Sequence, residues 1–158
     1  MGIRFDESLI LNIEDAKSSS EVLSRMCDYL YKKGMVKETY EKAILDRETS
    51  FPTGLNTGGI NIAIPHCDVC NVNEAAICVG ILKPDVDFRT MDEPDNTVPV
   101  SLVIMLVLTE PHGHLEMLQR IVELIQNQED VKKIVTSQDK SQVAAIIEQY
   151  LLKAMQLS

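Results

Sequence analysis

The sequence has no tryptophan, three phenylalanines and four tyrosines in 158 residues, so its core must be built from aliphatic side chains. It has no long hydrophobic run. The longest, Val98 to Leu108, falls short of the roughly 20 apolar residues that cross a bilayer, and it ends against charge. Arg4, Asp6 and Glu7 stand where a signal peptide would be apolar. The expectation is a cytoplasmic protein with no direct membrane insertion. Positive charge is also scarce: 15 Lys and Arg against 24 Asp and Glu leave a net charge of −9. That argues against a nucleic-acid partner, whose phosphates demand a basic footprint. The same acidity suits a protein partner with a basic docking face, and equally suits solubility alone.

What is present is enough for one domain. Apolar residues make up 45% and charged residues 25%, too apolar for disorder and sufficient for a buried core. No internal repeat or low-complexity linker divides the chain, so residues 1–158 read as a single domain. The four cysteines, at 27, 67, 70 and 78, are expected to be thiols in a reducing compartment. Cys27 falls on a helical pattern and Cys78 in an apolar strand, where cysteine behaves as a small hydrophobe.

Ser18 and Glu21 fit a capping box, after which Val22, Leu23, Met26 and Leu30 recur at helical spacing up to a stop at Gly34. A second helix is expected from Tyr40 through the region of Arg47, ending before Pro52. Gly54, Gly58 and Gly59 then punctuate a loop, and Ile60, Ile62 and Ile64 alternate as a strand does. Pro65 ends that strand, having no N–H for the ladder, and keeps Ile64 extended. Strands are also expected over Ala76 to Leu82 and Val98 to Leu108, with the acidic Met91 to Asn96 as an exposed turn between them. The last third is helical. It has a stripe of Leu115, Leu118, Ile121, Val122 and Ile125, a short helix around Val131 to Val135, and a final helix capped by Asp139 with Gln142. The order of elements predicts an α/β fold, a mixed central sheet flanked by helices on both sides.

Three histidines, at 66, 112 and 114, bring imidazole, the side chain that is both neutral and nucleophilic near neutral pH. His66 follows Ile62-Ala63-Ile64-Pro65, so a stiff segment presents it at a strand's C-terminal end, where open α/β sheets place their ligand sites. Phosphoryl transfer to a ring nitrogen asks little more of a protein than such positioning and charge stabilisation. The alternative is a histidine with no role. His114 opens an apolar-striped helix, where its ring and the helix N–H groups could face an anion, or where it is only a polar residue at a helix start. His112, in Pro111-His112-Gly113, reads as solvated. Arg47, near the end of the second helix, could hold a phosphoryl group bidentately, or simply complement the helix dipole. Thr53 and Gly54 add a hydroxyl and a pliable backbone nearby. Phe51 and Leu55 are either a docking patch or core.

Arg47-Glu48-Thr49-Ser50-Phe51-Pro52-Thr53-Gly54-Leu55, followed by Ile62-Ala63-Ile64-Pro65-His66-Cys67, resembles the signature of enzyme IIA domains of the fructose–mannitol class of the bacterial phosphotransferase system. Phe51-Pro52-Thr53-Gly54, Cys67, and the run Val98 to Ile104 ahead of His114-Leu115-Glu116-Met117-Leu118 look most like the galactitol-specific branch. The resemblance covers nearly the whole chain. It implies His66 as phosphoacceptor, Arg47 at the phosphate, and His114 as an assisting histidine, a position less uniform among galactitol-like members; Thr53 is expected at the phosphate from its hydroxyl beside Arg47. It implies two partners: the histidine-containing phosphocarrier protein that donates the group, and an enzyme IIB whose cysteine accepts it on the way to the IIC transporter. It also implies a mixed sheet flanked by helices. A relay between side chains has no nucleotide to neutralise, so it needs no metal or other cofactor.

Three other readings compete. His66, Cys67, Cys70, His112 and His114 contain Cys-x2-Cys and His-x-His, which can ligate zinc, although adjacent His66 and Cys67 fit one ion poorly. Cys67 and Cys70 could form a thiol redox pair, but with Asp68 between them and Asn71 and Asn73 following, no helix pattern begins there to activate a thiol. The same fold also serves as a phosphorylation-sensing regulatory domain that binds a partner protein. A chain ending at Ser158 with no fused module favours a free-standing shuttle.

Overall fold

In a computed structural model, the structure describes residues 3–110 and 112–152, and of 112 and 114 the backbone only. A short 3-10 turn leads into β1 (Ile10–Glu14), followed by α1 (Ser19–Lys32) and α2 (Tyr40–Ser50). Next come β2 (Gly54–Leu55), β3 (Asn61–Ala63), β4 (Ala76–Arg89) and β5 (Thr97–Val107). The chain then turns helical through α3 (His112–Gln126), α4 (Gln128–Thr136) and α5 (Lys140–Ile147), which ends in a π-helical turn at Glu148–Leu152.

The strands form one sheet in the order β1-β4-β5-β3-β2. β1 runs parallel to β4 and β3 parallel to β5, while β4–β5 and β2–β3 are antiparallel. The sheet is therefore mixed. Because side chains alternate across a strand, each long strand feeds two cores. Cys78, Leu82, Val103, Met105 and Val107 pack under α1 and α2, while Ile77, Val79, Ile81, Ile104 and Leu106 pack under α3, α4 and α5. Helices thus cover both faces, as the sequence predicts. Among the described residues no helix is long and apolar enough to cross a membrane.

The helix starts follow the sequence with small changes. The Glu21 N–H donates to the Ser18 hydroxyl at 3.2 Å, but the Glu21 carboxylate turns back to the Lys17 N–H rather than to Ser18. Asp139 caps α5 through the Ser141 N–H at 2.9 Å, while Gln142 accepts from the Ser137 hydroxyl. Gly34 ends the first helical segment with φ +76°, the left-handed conformation that glycine adopts freely.

Three strands depart from the sequence reading, the first being the short β2, which pairs with β3 where only a loop is expected at Gly54. β1 lay unread because Ile10 faces one core and Leu9 and Ile13 the other, so burial on both sides erases the alternation. β4 continues past Leu82 to Arg89. Its pairing with β5 is interrupted between Ile81 and Val86, around Pro84, which has no N–H to offer the ladder. Beyond that irregularity Val86 and Phe88 point inward while Asp85, Asp87 and Arg89 are exposed.

Candidate active site

The site forms where β3 ends. Beyond Ala63 the chain is still tied on both sides: the Ile64 N–H donates to the Thr53 carbonyl at 3.3 Å, and the Leu106 N–H of β5 donates to the Pro65 carbonyl at 3.0 Å. Ile64 and Pro65 are buried, so the next residue leaves the sheet from a fixed base. That residue is His66, half-buried, with Nδ1 3.0 Å from the Ile64 carbonyl oxygen. A carbonyl can only accept, so Nδ1 carries the proton and the lone pair sits on Nε2. Burial is the main reason that the His66 pKa lies below the ordinary imidazole value. The Ile64 bond opposes that shift and the nearby Arg47 charge adds to it.

Arg47 reaches the site from the last turn of α2. Its guanidinium lies 5.4 Å from the centroid of the Phe51 ring, a cation–π contact, and its buried Nε has no hydrogen-bond partner among the described residues. With Phe51, Cys67 and Asp68 it lines a hollow of about 290 Å³. Phe51 is 64% exposed at the rim, whereas Leu55 is half-buried and packs on the α3 side of the sheet. The two residues that the sequence left open as docking patch or core therefore separate: Leu55 joins the core and Phe51 stays exposed.

Thr53 is 2% exposed. Its N–H and its hydroxyl both donate to the Glu48 carboxylate, each at 2.8 Å. Burial raises the Glu48 pKa, while the two Thr53 bonds and the charge of Arg89 pull it down. His66, Arg47 and Thr53 are thus drawn into one neighbourhood. His114 lies in the first turn of α3, and its side chain, like that of His112, is outside the described residues. Glu48 is the residue that sequence reading did not place. The available signal was an acidic side chain at the end of a helix, five residues before a buried threonine.

The cysteines do not have the features of an activated pair. Burial pushes the Cys67 thiol up to about 11, the opposite direction from a reactive thiolate, and its sulfur lies 3.8 Å from the Asn71 side-chain nitrogen. A single 3-10 turn, Val69–Asn71, does begin after Cys67, where the sequence had suggested no helical start, but it is only three residues long. Cys70 is exposed, and Cys27 and Cys78 are buried. Among the described residues no three His, Cys, Asp or Glu side chains gather as a metal site.

The sequence and the fold both match a known group of proteins. Residues 4–150 match the family model described as "Phosphoenolpyruvate-dependent sugar phosphotransferase system, EIIA 2". The galactitol-specific EIIA component of Escherichia coli K12 is 36% identical over 119 residues, 74% of this chain and 77% of that protein. The fructose-specific EIIABC component of Bacillus subtilis 168 is 34% identical over 144 residues, covering 89% of this chain but 21% of that longer protein. In fold, the chain superposes with a TM-score of 0.76 on a structure of Escherichia coli enzyme IIA of the mannitol system in complex with phosphorylated enzyme IIB. The two share 20% identity, over 93% of this chain and 99% of that one. The chain belongs to the EIIA 2 family of the phosphoenolpyruvate-dependent sugar phosphotransferase system, whose members are relay components of sugar phosphorylation.

Proposed function

We propose that His66 carries the phosphoryl group, taken from the phosphohistidine carrier protein and passed to a cysteine of an enzyme IIB serving galactitol or a related polyol or sugar. The observation that carries the reading is the bond from His66 Nδ1 to the Ile64 carbonyl, which fixes the tautomer and leaves Nε2 as the nucleophile. The Nε2 lone pair attacks phosphorus, the P–N bond of the donor breaks, and its electron pair stays on the donor ring. In the second step a thiolate of the acceptor attacks and the P–Nε2 bond breaks, returning His66 to its starting tautomer. Arg47 offsets the charge spread over the phosphoryl oxygens in both steps. The buried Nε of Arg47 is a donor still to be matched, which suits a group that arrives only during transfer.

Thr53 serves the phosphate by shaping the backbone beside it, since its hydroxyl proton goes to Glu48. His114 assists from the first turn of α3. Identity with the galactitol-specific EIIA supports the branch, and the mannitol enzyme IIA known in complex with phosphorylated enzyme IIB supports the acceptor class. The protein acts in the cytoplasm as a phosphotransferase relay component, with no metal in the transfer.

The test is intact mass after incubation with the carrier protein, its upstream kinase and phosphoenolpyruvate. A gain of one phosphoryl group that is acid-labile, alkali-stable and abolished in His66→Ala is expected. A carrier that becomes phosphorylated beside a wild-type chain that gains nothing overturns the reading. A gain that survives His66→Ala moves the acceptor elsewhere.

A further inference from the structure

The hydrogen bonds around Ile64 form a chain that begins on another element. Ile64 is held at both ends of its own backbone: its N–H donates to the Thr53 carbonyl at 3.3 Å, and its carbonyl oxygen accepts from His66 Nδ1 at 3.0 Å. Thr53 is itself held by a two-point grip, with its N–H on one Glu48 carboxylate oxygen and its hydroxyl on the other, both at 2.8 Å. Glu48 stands next to Arg47 in the last turn of α2. One carboxylate therefore links the helix end that carries the arginine to the backbone that orients the histidine ring.

We propose that Glu48 is a positioning residue for phosphoryl transfer: its bidentate hold on Thr53 fixes the His66 imidazole in register with the Arg47 guanidinium. The proposal rests on His66 being the phosphoacceptor. Glu48 touches neither His66 nor the incoming group in this scheme; it acts through Thr53 and Ile64. The grip depends on the chemistry of both partners. A carboxylate presents two acceptor oxygens, and a threonine in the extended loop presents two donors on one side, so each residue satisfies the other. A glutamine at 48 keeps one acceptor and turns an NH2 donor toward a donor. A valine at 53 keeps the shape and the backbone N–H but drops the hydroxyl bond. A serine at 53 keeps both bonds.

Hydrogen-bonded carboxylates near an active site also serve simply to hold the fold, and the effect of losing one is then on stability. Transfer geometry is a different quantity. A displacement on the order of 1 Å between reacting groups costs up to about a hundredfold in rate. Since Arg47 and His66 are carried by separate elements, the Glu48–Thr53 grip is one hydrogen-bonded tie that runs from the one to the other. The Leu106–Pro65 bond holds the histidine segment only to β5.

The experiment measures the single-turnover rate and the saturation constant for phosphorylation by the phosphorylated carrier, using the full chain at a temperature where each variant is folded by circular dichroism. Nitrogen-15 NMR of the His66 ring is recorded on the same samples. Glu48→Gln and Thr53→Val are expected to lower the maximal rate roughly ten- to a hundredfold with little change in the saturation constant. The double variant should be no slower than the worse single one, and Thr53→Ser, which keeps both donors, should recover most of the rate that Thr53→Val loses. The ring nitrogens of the two slow variants should move from a single Nδ1–H tautomer toward a mixture. A Glu48→Gln protein that transfers as fast as wild type, or one that loses only affinity for the carrier, overturns the role of Glu48. So do additive losses in the double variant or ring shifts equal to those of wild type. A wild-type chain that takes up no phosphate instead overturns the functional reading beneath the proposal.

Discussion

At the scale of single residues, the proposed transfer depends on keeping an imidazole neutral and aimed. Burial is the largest influence on His66 and the Arg47 charge works the same way, so both hold its pKa below the ordinary value of about 6.5. The sign of the pH effect follows. A protonated ring has no lone pair on Nε2, so phosphorylation fails only as the pH drops through the folded-state pKa. The acid limb of the pH profile of kcat/KM is therefore expected below pH 6.5, not at it. The same depressed pKa means that the unfolded chain binds more protons near and below pH 6.5, so the contribution of His66 to stability is present above that range and lost below it. Arg47→Ala should do two things at once. It should slow transfer by about 10²-fold or more through lost charge stabilisation, and it should move the acid limb upward by removing a cation beside the ring. Because burial is the larger cause, that movement should be the smaller part of the total shift. Slower transfer with an acid limb that moves down would contradict the placement of Arg47 beside His66.

At the scale of elements, the two-residue strand β2 decides where Thr53 sits. Gly54 pairs with Ala63 of β3 on one side, and its carbonyl accepts from the Met91 N–H at 2.8 Å on the other. The fit is so close that a Cβ at 54 would lie 2.5 Å from the Arg89 carbonyl oxygen, a backbone atom that cannot swing aside. Gly54→Ala is thus expected to destabilise the protein by about 1–3 kcal/mol, the usual range for forcing atoms into a packed site. The denaturation midpoint measures it, with an unchanged midpoint as the contrary result. Gly58→Ala meets nothing within 4 Å, so a loss of stability there comes from carrying a side chain at φ +81° and not from a clash. These features also mark how far the sequence could be read. The alternation of Ile60, Ile62 and Ile64 and the stop at Pro65 located the strand end and its histidine. The apolar stripes located α1 and α3. Pairing order could not be read, because register lies in contacts between distant segments. β1 and the far half of β4 were lost for opposite reasons: burial on both faces hid the first, while a proline and four charged residues hid the second. The Glu48–Thr53 pairing was out of reach because the burial of Thr53 comes from the packing of β2 near Arg89, which no local pattern displays.

At the scale of the whole molecule, a net charge of −9 and an exposed Phe51 suit two separate tasks under the proposed function, finding a partner and holding it. Long-range fields accelerate encounter with a basic face and are screened by salt beyond about 8 Å at physiological ionic strength. An exposed aromatic at the rim of the site acts only after contact and owes little to salt. Phe51 is well placed for that task, since its ring already packs on Arg47 and shares the hollow with Cys67 and Asp68. The two contributions can be separated on one protein. Raising salt should lower kcat/KM for phosphorylation by the carrier several-fold while leaving the single-turnover rate at saturation unchanged. Phe51→Ala should raise KM several-fold at every salt concentration, with the salt slope intact. If kcat/KM is insensitive to salt, the acidity serves solubility alone. If Phe51→Ala slows the saturated step instead, the ring is holding Arg47 in place, and its contact with the guanidinium matters more than its exposure.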